Sequence, residues 1–178
     1  MKIAAFVLLS VLAFGVNREG VAADVDKSAE NAALIRAHHD ALNRGDWKNA
    51  LTYFAEDTKN FGRPVGRQRV GMVLEDIWTT FPDFRLDIID LVAKDDVVVV
   101  RCKESGTHLG VQKLPVNGGL LIGLPPTHKH FEVEVIHWYK MRDGKIVDHY
   151  GARDDIGMME QLGVLTAPKG FEPPPPKP

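Results

Sequence analysis

The sequence predicts an α+β domain, with helices packed on one face of a strongly curved antiparallel sheet. Three observations lead to that class. The chain has 178 residues, enough for one domain with a real core. Apolar residues recur at helical spacing in its first half. From Phe84 onward they alternate at strand spacing, so helices come before strands instead of interleaving with them. A curved sheet of this kind encloses a pocket wherever the helices do not fill it.

Residues 1–23 read as a secretory signal peptide. Lys2 supplies a positive start, and Ile3 to Val16 is an apolar run broken only by Ser10 and Gly15. Val21-Ala22-Ala23 offers the small residues that precede a cleavage site. At about 14 residues the run is short for a membrane span. A secreted or periplasmic protein without a membrane anchor is therefore expected. Cleavage after Ala23 removes Lys2, Arg18 and Glu19 and leaves 20 basic and 23 acidic residues, a net charge of −3. A weakly acidic chain without a basic stripe is not built for nucleic acid. The single cysteine, Cys102, cannot form an internal disulfide, so packing must supply the stability.

Residues 24–30 form a flexible leader, and the domain is expected at 31–165. Leu34, Ala37, His38, Ala41 and Leu42 mark one face of a first helix, which Arg44-Gly45 ends. Asp46 can cap a second helix with Trp47, Ala50, Leu51 and Phe54 on its apolar side. A loop spans Asn60 to Gly66. The third helix carries Val70, Val73, Leu74, Ile77, Trp78 and Phe81, and Pro82 stops it.

Strands follow at Phe84–Ala93 and Val97–Lys103, the latter β-branched and suited to burial on both faces. Val111 to Ile122 suggests ragged strands broken by Pro115 and Asn117-Gly118-Gly119. Phe131 to Arg142 has the clearest alternation, with Phe131, Val133, Val135, His137, Tyr139 and Met141 on one face. Asp143-Gly144 is a hairpin turn, and Lys145 to Arg153 returns beside it. A short helix at Ile156–Leu162 precedes a Pro-rich tail over 166–178, extended and solvated.

Several chemistries are missing. No Ser sits in a G-x-S-x-G elbow, and no P-loop or dinucleotide fingerprint is present. Cys102 in a β-branched strand reads as a buried, inert thiol. His128 and His130 share one side of an extended segment, with His108 as a conceivable third metal ligand. The alternation turns even-numbered residues near 130 away from the pocket, so no metal is expected. His38, on an apolar stripe, reads as a core histidine.

One constellation remains. His137 is the ionisable group in an otherwise apolar row, and burial would keep it neutral near pH 7, as a general base requires. If the Asp143-Gly144 turn is tight, Tyr139, His137, His149 and Arg153 share a face with Gly151 between the last two. The bland alternative makes His137 and Tyr139 core residues bonded to backbone and pairs Arg153 with Asp154 or Asp155 outside.

Gly106-Thr107-His108-x-Gly110, Gly123-x-Pro125-Pro126-Thr127, and Asp143-Gly144-Lys145-Ile146 with His149, Asp154 and Gln161-Leu162-Gly163 form an ordered set. With Gly45-Asp46-Trp47 and Phe81-Pro82-Asp83, it resembles the SnoaL-like polyketide cyclase (ester cyclase) family from about Ala33 to Gly163. The resemblance implies a cone-shaped, nuclear-transport-factor-2-like (NTF2-like) barrel with helices closing a hydrophobic cavity. It also implies cofactor-free intramolecular aldol closure, with an Asp on the last strand as general acid/base. Aligned on Asp143-Gly144-Lys145-Ile146, the family's strand histidine falls on His137 and its catalytic Asp on Gly151. The stretch 112–121 then looks like an insertion, a flap over the pocket.

The expected catalytic residues are His137, His149, Arg153 and Asp154. Tyr53, Trp78, His108, Tyr139 and Gly151 are expected to contact a small-molecule ligand. Three readings stay open: a cofactor-free isomerase, lyase or cyclase acting on a small carbonyl compound; a binding protein that lost the catalytic carboxylate; and an interaction module. A homodimer is expected, with Ile136 and Trp138 available on the outer sheet face.

Overall fold

In the computed structural model, which describes residues 26–116 and 119–166, four helices and six strands follow one another along the chain. The expected signal peptide and all but the first residue of the Pro-rich tail lie outside the described residues. None of the described helices is long and apolar enough to cross a membrane.

Helix α1 (Ser28–Asn43) begins inside the expected leader. Its start is fixed locally, because the Asp26 carboxylate accepts the Ser28 backbone N–H at 2.9 Å. The Ser28 hydroxyl in turn accepts the Asp95 N–H at 2.8 Å, tying the helix to a strand turn. Asp46 caps α2 (Trp47–Leu51) by accepting the Asn49 N–H at 3.1 Å, as expected.

Phe54 does not extend that helix. It opens strand β1 (Phe54–Asn60), which sequence reasoning missed. Only Phe54 and Thr58 of β1 are buried, so the strand shows little apolar alternation, and its partner lies far along the chain. β1 turns through Phe61 and Gly62, both at positive φ, into the two-residue β2 (Arg63–Pro64). Helix α3 (Gly66–Thr80) then runs to the stop at Pro82.

Strands β3 (Arg85–Lys94), β4 (Val97–Thr107), β5 (His130–Arg142) and β6 (Lys145–Arg153) complete the sheet, and α4 (Asp155–Gln161) closes the domain. The strand order is β2-β1-β6-β5-β4-β3. β3 through β6 pair antiparallel, as expected, but β1 joins β6 in parallel, so the sheet is mixed. It stays open, with β2 and β3 as its edges. Register shifts in β3–β4, β5–β6 and β1–β6 supply the bends that curve it.

β4 departs from the expectation of burial on both faces. Val98, Val100, Cys102 and Glu104 are buried while the residues between them are partly or fully exposed, the pattern of a strand with one covered face. β5 follows its sequence pattern, with Phe131, Val133, Val135, Tyr139 and Met141 buried. The described residues of 111–122 form no strand; a lone bridge joins Gln112 to Ile122. That segment is held instead by the buried Asp76 of α3, whose carboxylate accepts the N–H groups of Lys113 and Leu114 at 3.0 and 2.9 Å.

The carboxyl end of α3 is stapled to the end of β4. Asp83 accepts the Thr107 N–H and the Thr107 hydroxyl, each at 2.6 Å. The Thr80 carbonyl accepts both Leu109 N–H and Gly110 N–H at 3.0 Å. A Cβ at Gly110 would lie 1.9 Å from the Thr79 carbonyl oxygen, so only glycine permits this approach. Gly110→Ala is therefore expected to cost on the order of 3 kcal/mol, since backbone must move to admit the methyl group. Chemical denaturation measures it; an unchanged midpoint would show that the junction slides freely.

Candidate active site

β5 and β6 assemble the site through their register. Val135 faces Arg153, His137 faces Gly151, and Tyr139 faces His149 across the hairpin. The Asp143-Gly144 turn is tight, with φ of 51° and 69°, and alone would set Asp148 opposite Tyr139; the register shift between Lys140 and Met141 is what brings His149, Gly151 and Arg153 opposite the inner face of β5. Between that face and α3 lies a cavity of about 330 Å³. Val70, Val73, Leu74 and Ile77 of α3, with Phe81, Phe84 and Leu86, give it apolar walls. His38, Glu104, His137, Tyr139, His149 and Arg153 give it a polar floor. The partial exposure of Val70, Val73 and Ile77 arises because they face this space instead of packing against the sheet.

Gly151 makes room for the central contact. A Cβ there would stand 3.3 Å from His137 Nδ1 and 3.6 Å from His149 Cε1. With only hydrogen in that place, His137 Nδ1 and His149 Nε2 approach to 2.8 Å. The proton positions follow from the partners. Asn60 Oδ1 lies 3.1 Å from His149 Nδ1 and can only accept, so His149 carries its proton there. His149 Nε2 is then bare and accepts from His137 Nδ1–H. His137 Nε2 is left with an unshared lone pair, buried and without a hydrogen-bond partner.

Burial holds the histidines neutral. It pushes His137 well below the usual imidazole range, and positive charge on His149, His39, His38 and Arg153 would oppose its protonation further. His149 is lowered to about 4, chiefly by burial and then by His39. Deeper in the core, His38 Nδ1–H donates to the Ala50 carbonyl at 3.0 Å, and burial, then His39, lowers its pKa to about 3. His38 is thus a satisfied core histidine whose ring also reaches the cavity. The Tyr139 hydroxyl lies 3.0 Å from His39 Nε2, and burial lowers His39 to about 4 and raises Tyr139 well above its usual value. Cys102 is pushed up to about 12 by burial, then by Glu104 and Asp87, which makes it an inert thiol.

Arg153 lies on the cavity wall, not outside it. Its guanidinium pairs with the buried Glu104, and its Nε donates to Asp155 at 2.8 Å. Burial alone would lower the Arg153 pKa, but the two carboxylates outweigh that and raise it. Burial raises Glu104, against the lowering effect of Arg153.

Four expected site residues lie elsewhere. Asp154 accepts the Gly157 N–H at 2.8 Å and serves as the cap of α4. Tyr53 lies in the turn before β1 and outside the cavity lining, with its ring edge-on to His38 at 5.8 Å. Trp78 is one residue beyond Ile77, about 100° around the helix, and packs edge-on against Phe84 at 5.1 Å. His108 is fully buried, and its Nδ1 accepts the Thr127 N–H at 3.2 Å, which joins two of the sequence motifs. His128 has a φ of 56°, which breaks the extended alternation expected around it. Among the described residues no three His, Cys, Asp or Glu side chains are grouped to hold a metal ion. Asn60, Glu104, Lys59 and Arg69, absent from the expected site, all line the cavity.

The family model described as SnoaL-like polyketide cyclase matches residues 32–162. This chain belongs to that family. The aklanonic acid methyl ester cyclase DauD of Streptomyces sp. (strain C5) is 43% identical over 61 residues, 34% of this chain and 38% of that protein. The nogalonic acid methyl ester cyclase of Streptomyces nogalater is 44% identical over 45 residues, 25% of this chain and 34% of that protein. The matches therefore span less than two-fifths of these curated relatives. Among solved structures, IdmH of Streptomyces antibioticus, a proposed polyketide cyclase, superposes with a TM-score of 0.61 at 28% identity, covering 76% of this chain and 99% of that one. AclR of Streptomyces galilaeus, a proposed hydroxylase, has a TM-score of 0.65 at 24% identity over 80% of this chain and 91% of its own, a likeness of fold alone. One fold thus carries more than one proposed chemistry, and function must be argued from the site.

The neutral histidines link stability to acid. An unfolded histidine takes up a proton near pH 6.5, whereas His38 and His39 resist until about 3 and 4. Stability is therefore complete above pH 6.5 and falls as pH drops toward those values. Each of the two costs about 2 kcal/mol by pH 5. Urea midpoints that match at pH 7 and pH 5 would contradict this.

Proposed function

We propose that the protein is a cofactor-free acid–base enzyme that removes a proton α to a carbonyl in a small organic molecule and closes or rearranges it. The observation that carries this reading is the buried, unpartnered lone pair on His137 Nε2. A buried acceptor left unpaired costs about 1–3 kcal/mol, and a small turn of the cavity-lining His137 ring would offer it to a substrate C–H beside a carbonyl. His137 takes the proton and becomes imidazolium while the substrate becomes an enolate. The enolate carbon then attacks a second carbonyl of the same molecule, and His137 returns the proton to the resulting alkoxide. His149 holds His137 in the required tautomer, and Asn60 holds His149. Arg153 places positive charge near the developing enolate, tempered by Glu104 and Asp155. Family membership supports cyclase-type chemistry, and the relatives above are named for methyl esters. The signal-like first 23 residues support action outside the cytoplasm.

A small-molecule-binding protein is the second reading, favoured by Gly151 at the position that aligns with the family's catalytic Asp. Deuterium exchange at the carbon next to the carbonyl of 2-tetralone separates the two. The wild type is expected to accelerate exchange, with His137→Ala losing about 10²–10⁴-fold and Asn60→Ala losing less. Binding without accelerated exchange, or exchange indifferent to His137→Ala, would establish the binding protein instead.

A further inference from the structure

The mouth of the cavity carries charge that the proton transfer does not use. Lys59, Asn60, Phe61, Arg69 and Pro115 are the exposed residues of its lining. Two of these five are cations and none is an acid. Among the described residues neither Lys59 nor Arg69 has a carboxylate within ion-pair distance. The acids of the neighbouring strands are committed elsewhere. Glu56 pairs with Arg67, and Asp57 pairs with Arg142 at 2.8 Å. Asp148 accepts from Gly62 N–H, His149 N–H and the Tyr150 hydroxyl. The lining's one acid, Glu104, is held by Arg153, and its histidines are neutral.

The start of α3 adds to the same sign. Its N-cap, Val65, gives no side-chain cap, its first turn has no acid, and both Val65 and Arg69 line the cavity. An apolar chamber therefore opens through a mouth bearing two cations outside any ion pair, with Asp57 reached by Lys59 only at longer range and the nearby Asp155 held by Arg153, in a chain whose net charge is −2.

We infer that the pocket selects an apolar molecule bearing a carboxylate, with its body among the α3 side chains and its charge at Lys59 and Arg69. This rests on the cavity being a ligand site and gives the substrate class for the acid–base reading. It sets the chain apart from relatives named for methyl esters, in which that charge is absent.

Naphthalene-2-carboxylate and its methyl ester, titrated against the full chain by calorimetry, test the inference. The carboxylate is expected to bind at least about tenfold more tightly, and the preference should shrink between about 50 and about 500 mM salt. The Lys59→Gln/Arg69→Gln double variant should weaken carboxylate binding by about tenfold and leave ester binding and the melting temperature unchanged. An ester that binds as tightly as the acid, a double variant that keeps the preference, or no binding of either compound would overturn the inference. A carboxylate preference that persists in a protein unable to exchange 2-tetralone would remove the acid–base reading and leave this one standing.

Discussion

The staple between the carboxyl end of α3 and the end of β4 is the constraint on which the cavity depends. A helix bearing Val70, Val73, Leu74 and Ile77 would otherwise gain by collapsing onto the sheet, since each buried aliphatic side chain is worth about 1.5–3 kcal/mol. Asp83, Thr80 and the close approach at Gly110 fix one end of α3 against β4. Phe81 and Phe131, edge-on at 5.2 Å, fill the wedge at that end. The sheet curves away from there, and the gap between helix and strands widens into the chamber. The short motifs around Phe81-Pro82-Asp83, Gly106 to Gly110 and Thr127 are the parts of this junction. They bear on the shape of the pocket and not on its chemistry.

Inside the chamber, polarity is kept largely by neutral groups. Four histidines and a tyrosine occupy the space between α1 and the β5–β6 hairpin, and burial keeps each of them neutral. The buried charge of Glu104 is held by Arg153, because an isolated ion there would be costly. Beside His137 stands Gly151, and the imidazole of His149 occupies the space that a side chain there would take, linked in turn to the Asn60 amide. The basicity of His137 is set by desolvation instead of by an adjacent negative charge.

Much of this was legible in the sequence, for reasons that differ by residue. β5 was legible because its inner face meets a core and its outer face meets water, which forces the period of two. His137, Tyr139, His149 and Arg153 do come together, but through a bulge between Lys140 and Met141 that the sequence does not announce; the two-residue turn alone would have set Asp148 opposite Tyr139. β1 was not legible: its sheet partner, β6, lies some ninety residues on, and its polar composition leaves no local period. Asn60 was missed for the same reason, since its contact with His149 arises only when β1 docks. Glu104 sits where alternation alone would have placed it inward, but the hydrophobic run before it drew the strand's expected end to Lys103. Trp78 was misplaced by one residue, enough to turn a side chain to another face of a helix, and Tyr53 falls in the turn before β1.

Asp76 grips the flap through the amide groups of Lys113 and Leu114, and so through backbone alone. Such an anchor is indifferent to the side chains it holds. Pro115 and Val116, at the roof of the chamber, can therefore change without touching that anchor, whereas Leu121 is tied into the core and the Gln112 side chain donates to the Leu114 carbonyl. On the proposed reading, a lineage could explore new ligands by rewriting one loop while the histidines beneath it stay in place.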